Sequence, residues 1–501
     1  MWVNDPIRAV GPLLGAAALL VLVLGSCAVG PTYRRPSPPT VDRYVWGSDP
    51  TRTEEAQGIA QHFSPDTPLT GDWWHLFNSP AIDGLVAQAL RNNPGLDAAR
   101  ANLRQSEDTL RSGYGIFYPQ VELEASGTRQ RVPGTRFGAS LPPSLFNLFT
   151  LSASVSYALD LFGGERRMIE ELRTQVDLQR ANEQATYIAL VANIVNTVVA
   201  RAAYQAEIEA TEQLIDLERE QVKIARIQAQ AGTVPYSNVL SLQSVLASNQ
   251  ATIPQLQQKL SQTEHLLATL AGFAPAEWHA PPVRLAELSL PGELPIEVPA
   301  QLIARRPDIL MAEATAHAAS ASIGVATANL LPGISLSGSY GASGLTTQTL
   351  LAQNGRGFSA GANLTAPLFE GGTLWYRRKA ALDTYWQASA LYRQAVLGAF
   401  AQVADTLRAL EHDAAALAAQ DLALDAARDA LKLAQANYAA GLDTYLDVLY
   451  ADAQYHQAKI NDLAGIAVRY QDTVALYVAL GGGWWNAARA ATTGGSNPMA
   501  Q

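Results

Sequence analysis

A single cysteine stands in the 501 residues, so no disulfide can form within the chain. Methionine is nearly as scarce: Met168 and Met311 are the two within the body, which gives no support to thioether handling of copper. The seven histidines, His62, His75, His265, His279, His317, His412 and His456, are scattered without ligand spacing. They read as surface or packing residues, and no resident metal is expected. Neither His-Glu-x-x-His nor the phosphate-binding Gly-x-x-x-x-Gly-Lys-Ser/Thr occurs. Basic side chains are outnumbered 35 to 45, and the resulting charge of −10 argues against a nucleic-acid partner. Two near-motifs remain. Gly357-Phe358-Ser359-Ala360-Gly361 fits the serine-hydrolase pattern, which needs a strand, a sharp turn and a helix, yet an unbroken alternation runs through it. Gly355 to Ala360 fits a loose dinucleotide fingerprint but precedes a strand instead of a helix. No enzyme and no cofactor is expected.

The cysteine itself closes an apolar run from Pro12 to Gly25 as Leu24-Gly25-Ser26-Cys27. That run is shorter than the roughly 20 residues of a spanning helix, and it fits the short core of a secretory signal. The motif resembles a bacterial lipobox. The resemblance implies that residues 1–26 are a lipoprotein signal peptide, that Cys27 is acylated, and that Ala28, where retention would need Asp, directs the product to the outer membrane. Residues 27–79, rich in Pro, Gly and Thr with Trp46, Trp73 and Trp74, read as a tether followed by an irregular segment packed on the body.

Two textures then alternate. Ser79 or Asn78 caps a helix expected from about Pro80 to Gly113, broken or restarted at Pro94. Beyond Pro119 the period is two: Val121, Leu123 and Ala125 against Glu122, Glu124 and Ser126, then Leu151, Ala153 and Val155 against Ser152, Ser154 and Ser156. Strands of this length suit a tilted crossing of a bilayer, with Phe117, Tyr118 and Phe162 as interfacial residues. After Gly163-Gly164 a helical period holds to about residue 231, and a second helix runs from about Pro235 to Leu270. A proline-rich linker, residues 273–299, follows.

The series then repeats. Asn93-Pro94 matches Arg306-Pro307, and Tyr118-Pro119 matches Leu331-Pro332. Ile334, Leu336 and Tyr340 alternate with Ser335, Ser337 and Ser339; Phe358, Ala360 and Leu364 alternate with Ser359, Gly361 and Asn363. In the second long helix Val403, Leu410, Leu417, Leu424, Leu431 and Tyr438 keep a spacing of seven. A heptad held that long means lengthwise packing against other helices. Gly232 and Gly441 end the two long helices at one offset, as do the pairs Tyr236 with Tyr445 and Val239 with Val448. The expected plan is thus two structural repeats, residues 80–272 and 300–483, and a disordered tail over residues 484–501.

Long helices of about 100 Å lie beside shorter ones of about half that length on this plan. Four strands per chain cannot close a barrel, and an open edge in lipid leaves backbone groups unpaired, so subunits must share one. Two chains would give eight strands and a filled interior, three would give twelve and room for water.

The stretch Cys27-Ala28-Val29-Gly30-Pro31-Thr32-Tyr33-Arg34-Arg35-Pro36, with the duplicated plan behind it, resembles the lipoprotein (NodT) branch of the TolC-type outer-membrane efflux family. The resemblance implies an α+β membrane protein: a homotrimer with one shared transmembrane β-barrel, four strands per chain, continuing into a long periplasmic α-helical barrel. It also implies a passive conduit for small-molecule cargo, docked at its helical tips to a periplasmic adaptor protein and an inner-membrane pump, and seated among outer-membrane lipid. Gly232, Asn238, Gly441 and Asp443 then mark the tips where the adaptor docks, and Leu446, Asp447 and Tyr450 a periplasmic gate. The family's pattern has acidic residues at the positions of Asp447 and Tyr450; the second is tyrosine here, and the first-half counterparts of Leu446 and Asp447 are Ser237 and Asn238. Asp447 also completes the capping-box pattern Thr444-x-x-Asp447, so gating and capping both stand as readings. Alternatives are a channel for type I protein secretion and a non-conducting periplasmic scaffold lipoprotein.

Overall fold

In the computed structural model the described residues are 28–37, 41–65, 67–133, 143–296, 299–350 and 352–485. Cys27 and the signal stretch lie outside them, as does the tail from residue 486. In chain order the elements are β1 (His62–Ser64), α1 (Pro80–Asn92), α2 (Pro94–Gly113), β2 (Gln120–Val132), β3 (Ser144–Leu159), α3 (Gly164–Gln230), α4 (Tyr236–Leu270), β4 (Glu293–Pro295), α5 (Pro299–Ile303), α6 (Pro307–Ala328), β5 (Gly333–Gly344), α7 (Thr347–Leu350), β6 (Arg356–Thr365), α8 (Thr373–Ala439) and α9 (Tyr445–Ala479). The two long helices have 67 residues each, and the helices that follow them 35 each.

The helix expected from Pro80 to Gly113 is two helices. Ser79 caps the first by accepting from the Ile82 amide at 3.4 Å. Asn93 leaves the helical region and caps the second, its Oδ1 accepting from the Leu96 amide at 3.0 Å. Pro94 then sits at a first helical position, where its missing N–H would have had no partner in any case.

The chain falls into two compact units, one drawn from residues up to 36, 103–179 and 311–392, the other from 37–102, 180–310 and from 393 on. The first holds a four-stranded antiparallel sheet in the order β2, β3, β5, β6. Its register turns four local alternations into two faces. Val121, Val155, Gly338 and Ala360 lie in one row, and Leu123, Ala153, Tyr340 and Phe358 in a parallel one. Between them Glu122, Ser154, Ser339 and Ser359 point to the opposite side. The apolar face is bare: Leu123 is 77% exposed and Phe358 83%. β2 and β6 each bond to one neighbouring strand within the chain.

The second unit has the larger core. Trp73 and Phe77 are fully buried, with Trp73 stacked on Tyr477 at 5.4 Å between ring centres. The segment before residue 79, expected as irregular, contributes β1, which pairs in parallel with β4 from the supposed linker. That linker also fills the core, where its Leu285, Leu288 and Leu294 are buried. Three-residue strands carry no readable alternation, which is why the sequence shows prolines there and not pairing. Two residues of the expected tail, Trp484 and Trp485, are described, and both are packed. Trp484 donates its indole N–H to the Arg305 carbonyl at 3.0 Å, and the Trp485 ring lies 4.7 Å from the Arg305 guanidinium.

α3 and α6 each contain a window long and apolar enough to cross a membrane by composition. In α3 this is core sequence, with Val191, Val195 and Val199 at 0% exposure.

Candidate functional site

Both long helices end in the same way. Gly232 and Gly441 adopt φ values of 76° and 73°, a region where a Cβ is strained. Gly232 N–H donates to the Ala229 carbonyl at 3.1 Å and Thr233 N–H to Gln228 at 3.0 Å; Gly441 and Leu442 repeat this with Tyr438 and Asn437 at 3.0 and 2.9 Å. The nested pair of bonds closes the carbonyls that a helix end leaves open. Asn437 Nδ2 reaches on to Asp443 at 2.8 Å.

The restarts differ. α4 begins behind Pro235 without a capping side chain. α9 begins with a capping box, in which the Asp447 carboxylate accepts from the Thr444 amide at 3.0 Å and from the Thr444 hydroxyl at 2.5 Å. These two bonds, the hydroxyl's first, hold the Asp447 carboxyl below the ordinary Asp value. Asp447 is therefore a cap within one chain, and its remaining surface is open to solvent.

The two tips pack side by side. Val239 and Val448, equivalent positions, are buried at 0% and 5% exposure. Val222, Ala225 and Leu242 close against Tyr445 and Leu449. Gln228 donates to the Tyr438 hydroxyl at 2.8 Å, and the Tyr438 and Tyr445 rings are 5.1 Å apart. Of the residues expected at the gate, Leu446 (52% exposed), Asp447 and Tyr450 (67%) lie on the first turns of α9, uncovered. Gly232 and Asn238 lie exposed on the first tip, Gly441 and Asp443 on the second.

Sequence reasoning missed what lies behind the tips. Glu218, Asp452 and His456 are 4%, 2% and 3% exposed. Asn249 donates to Glu218 at 2.6 Å, and Asp452 is hydrogen-bonded to Gln221. Burial pushes the Asp452 carboxyl up to about 6 and raises Glu218 also. His456 is driven the other way, to about 4, by burial and then by Lys459. Its Nε2 is 3.6 Å from Asp452 Oδ1, too long for a hydrogen bond. The readable signal was spacing: Val448, Asp452 and His456 recur every four residues, so two polar side chains occupy an apolar stripe. Among the described residues no group of three or more His, Cys, Asp or Glu is placed to hold a metal ion.

The hydrolase-like motif is a strand. Gly357, Ser359 and Gly361 belong to β6, and the Ser359 hydroxyl meets that of Ser339 at 2.9 Å on the Ser-rich face. The sharp turn and following helix that would raise a nucleophile are not there.

Comparison with known proteins places these features in a wider set. The family described as Outer membrane efflux protein matches residues 85–273 and 298–482. The toluene efflux pump outer membrane protein TtgC of Pseudomonas putida is 30% identical over 480 residues, covering 93% of this chain and 95% of its own. Nodulation protein T of Rhizobium leguminosarum bv. viciae is 28% identical over 478 residues, covering 94% and 93%. Among solved structures, the outer-membrane channel OprN superposes with a TM-score of 0.81 at 27% identity, over 91% of this chain and all of its own.

Proposed function

The chain belongs to the outer membrane efflux protein family, and from that premise we propose that three copies close one conduit through the outer membrane, gated at the tips of α8 and α9. The protein is an outer-membrane channel component of an efflux system. The observation that carries the proposal is the sheet. Its two faces differ, one apolar and bare, the other lined with Ser and Glu, and its edge strands β2 and β6 are left open. An open edge in hydrocarbon costs several kcal/mol per unpaired group, so β2 of one copy pairs with β6 of the next. Three four-stranded contributions leave a wide, polar-lined lumen. Neither tip nor sheet supplies an energy source, so a periplasmic adaptor and an inner-membrane pump drive transport, and small molecules are the cargo. Acylated Cys27 anchors each copy in the outer membrane. The two 67-residue helices with their 35-residue partners descend from one duplicated unit and wall the periplasmic part.

At the tips, Leu446 and Tyr450 supply an apolar constriction and Asp447 a ring of carboxylates, which attracts cations and resists close approach of its members. Gly232, Asn238, Gly441 and Asp443 present the turns to the adaptor.

The test is conductance of the purified full-length protein in planar bilayers. Leu446→Ala is expected to raise the open fraction. Asp447→Gln removes the charge and keeps the cap, since glutamine also completes a capping box; it is expected to change cation preference. A protein that does not conduct overturns the conduit. Wild-type behaviour in both variants overturns the gate.

A further inference from the structure

α9 meets α8 acid against acid. The Asp462 carboxyl, 6% exposed, lies beside that of Asp421 on α8, close enough for one amide, that of Gln57, to bond both. Ten residues further along, Asp472 faces Asp413 of α8, and its Oδ2 is buried without a partner. A helix pair closed by salt bridges would place Lys or Arg at one side of each contact. Asp462 is buried and Asp421, Asp413 and Asp472 are half-buried, and two carboxyls set side by side away from bulk water resist joint ionisation.

The first pair is also clasped from outside. Gln57 donates its backbone N–H to Asp421 Oδ2 at 3.0 Å, and its side-chain amide to both Asp421 and, at 3.3 Å, Asp462. It does so from φ 54°, unusual for a residue with a Cβ. Arg469, 1% exposed, fixes that loop by donating to the carbonyls of Ala56 at 2.9 Å and Ile59 at 2.7 Å. The groups facing Asp462 are thus Asp421 and Arg428 from α8 and Gln57 from the loop, with Arg469 of α9 near Asp421. Asp413 of α8 faces Asp472. Toward α3, Asp452 faces Gln221 and Glu218, with Lys459 one turn past His456 and bonded to Gln213.

We propose that the α8–α9 hairpin is held together by protons shared within Asp421–Asp462 and Asp413–Asp472, so that acidity locks α9 in place and loss of the protons loosens it. Burial and then the neighbouring carboxyl push Asp462 and Asp472 each up to about 7. For carboxyls raised in this way, the stabilisation of the packed state is full below the ordinary Asp value of 3.8. It is lost as pH rises through about 7. Asp452, raised to about 6, adds the same sign. His456, lowered from 6.5 to about 4, has the opposite sign: its contribution is present above 6.5 and is lost as pH falls through 4. It is one group against three, so the net slope still favours the acid side.

The device does not require the conduit; only its effect on gating rests on that reading. The test is amide hydrogen exchange of the full-length protein between pH 5 and 8, expressed as protection factors. Protection across residues 445–479 is expected to fall by at least about tenfold, while residues 236–270 of the other hairpin hold theirs. The double variant Asp462→Asn, Asp472→Asn should remove most of the fall, leaving only the balance of Asp452 against His456, and Asp472→Asn alone should remove about half as much. Parallel behaviour of the two hairpins, or an undiminished fall in the double variant, overturns the proposal. Channel conductance read over the same range separates the two ideas. If α9 loosens and conductance stays flat, the shared protons stand and the gate at the tip falls.

Discussion

The two helical hairpins share a length, a turn geometry and a buried valine, yet differ in where they place charge. Shifted by the common offset of 209 residues, Asp452, Asp462 and Asp472 of α9 fall on Gln243, Ile253 and Thr263 of α4, and Arg469 falls on Leu260. The second helix of the first hairpin, α4, therefore packs without an acid or an arginine at these positions; the buried acid of that hairpin, Glu218, lies on α3. The acids of α9 are additions to the architecture, which is the sense in which they read as functional.

The largest expected break in that comparison is Arg469→Leu, which gives α9 the residue of α4. The carbonyls of Ala56 and Ile59 lose their donor in a buried site, and stability should fall by about 3 kcal/mol. Denaturant unfolding of the purified protein checks it, and Leu260→Met in α4, which keeps the apolar character, should cost far less. Next come the turns. Gly232→Ala and Gly441→Ala should each cost about 1–2 kcal/mol, because a left-handed residue with a Cβ is strained. Nothing lies within 4 Å of the added methyl at either site, so the two costs should agree. A clear inequality would mean that the tips are not equivalent in backbone geometry. The smallest effect belongs to the cap. Asp447→Ala should speed exchange in the first turn of α9 by about fivefold, Asp447→Gln should restore it, and Ser237→Ala in the uncapped α4 should leave exchange there unchanged.

Much of the fold was readable because the relevant signals are local. The change from a period of two to a helical one located β2, β3, β5 and β6 between the helices. The glycines at 232 and 441 marked the helix ends to within a residue or two. β1 and β4 escaped because strands of three residues have too short a pattern, and their pairing joins residues such as Phe63 and Leu294, far apart in sequence. The candidate gate was legible as positions, since Leu446, Asp447 and Tyr450 follow a recognisable turn. The role of Asp447 was not decided by them: a capping pattern and a carboxylate ring use the same letters.

The sequence by itself determined the order of the long helices and of β2, β3, β5 and β6, the lengths of the long helices and the two faces of those four strands, because side-chain periodicity is a property of neighbours along the chain. Tertiary structure alone decided that the linker's leucines are core. It also decided that Asp462 and Asp472 meet acids where a basic partner was to be expected. Those facts depend on which side chain a distant segment brings into contact, and on how much water that contact excludes, and neither is written in the period of a single helix.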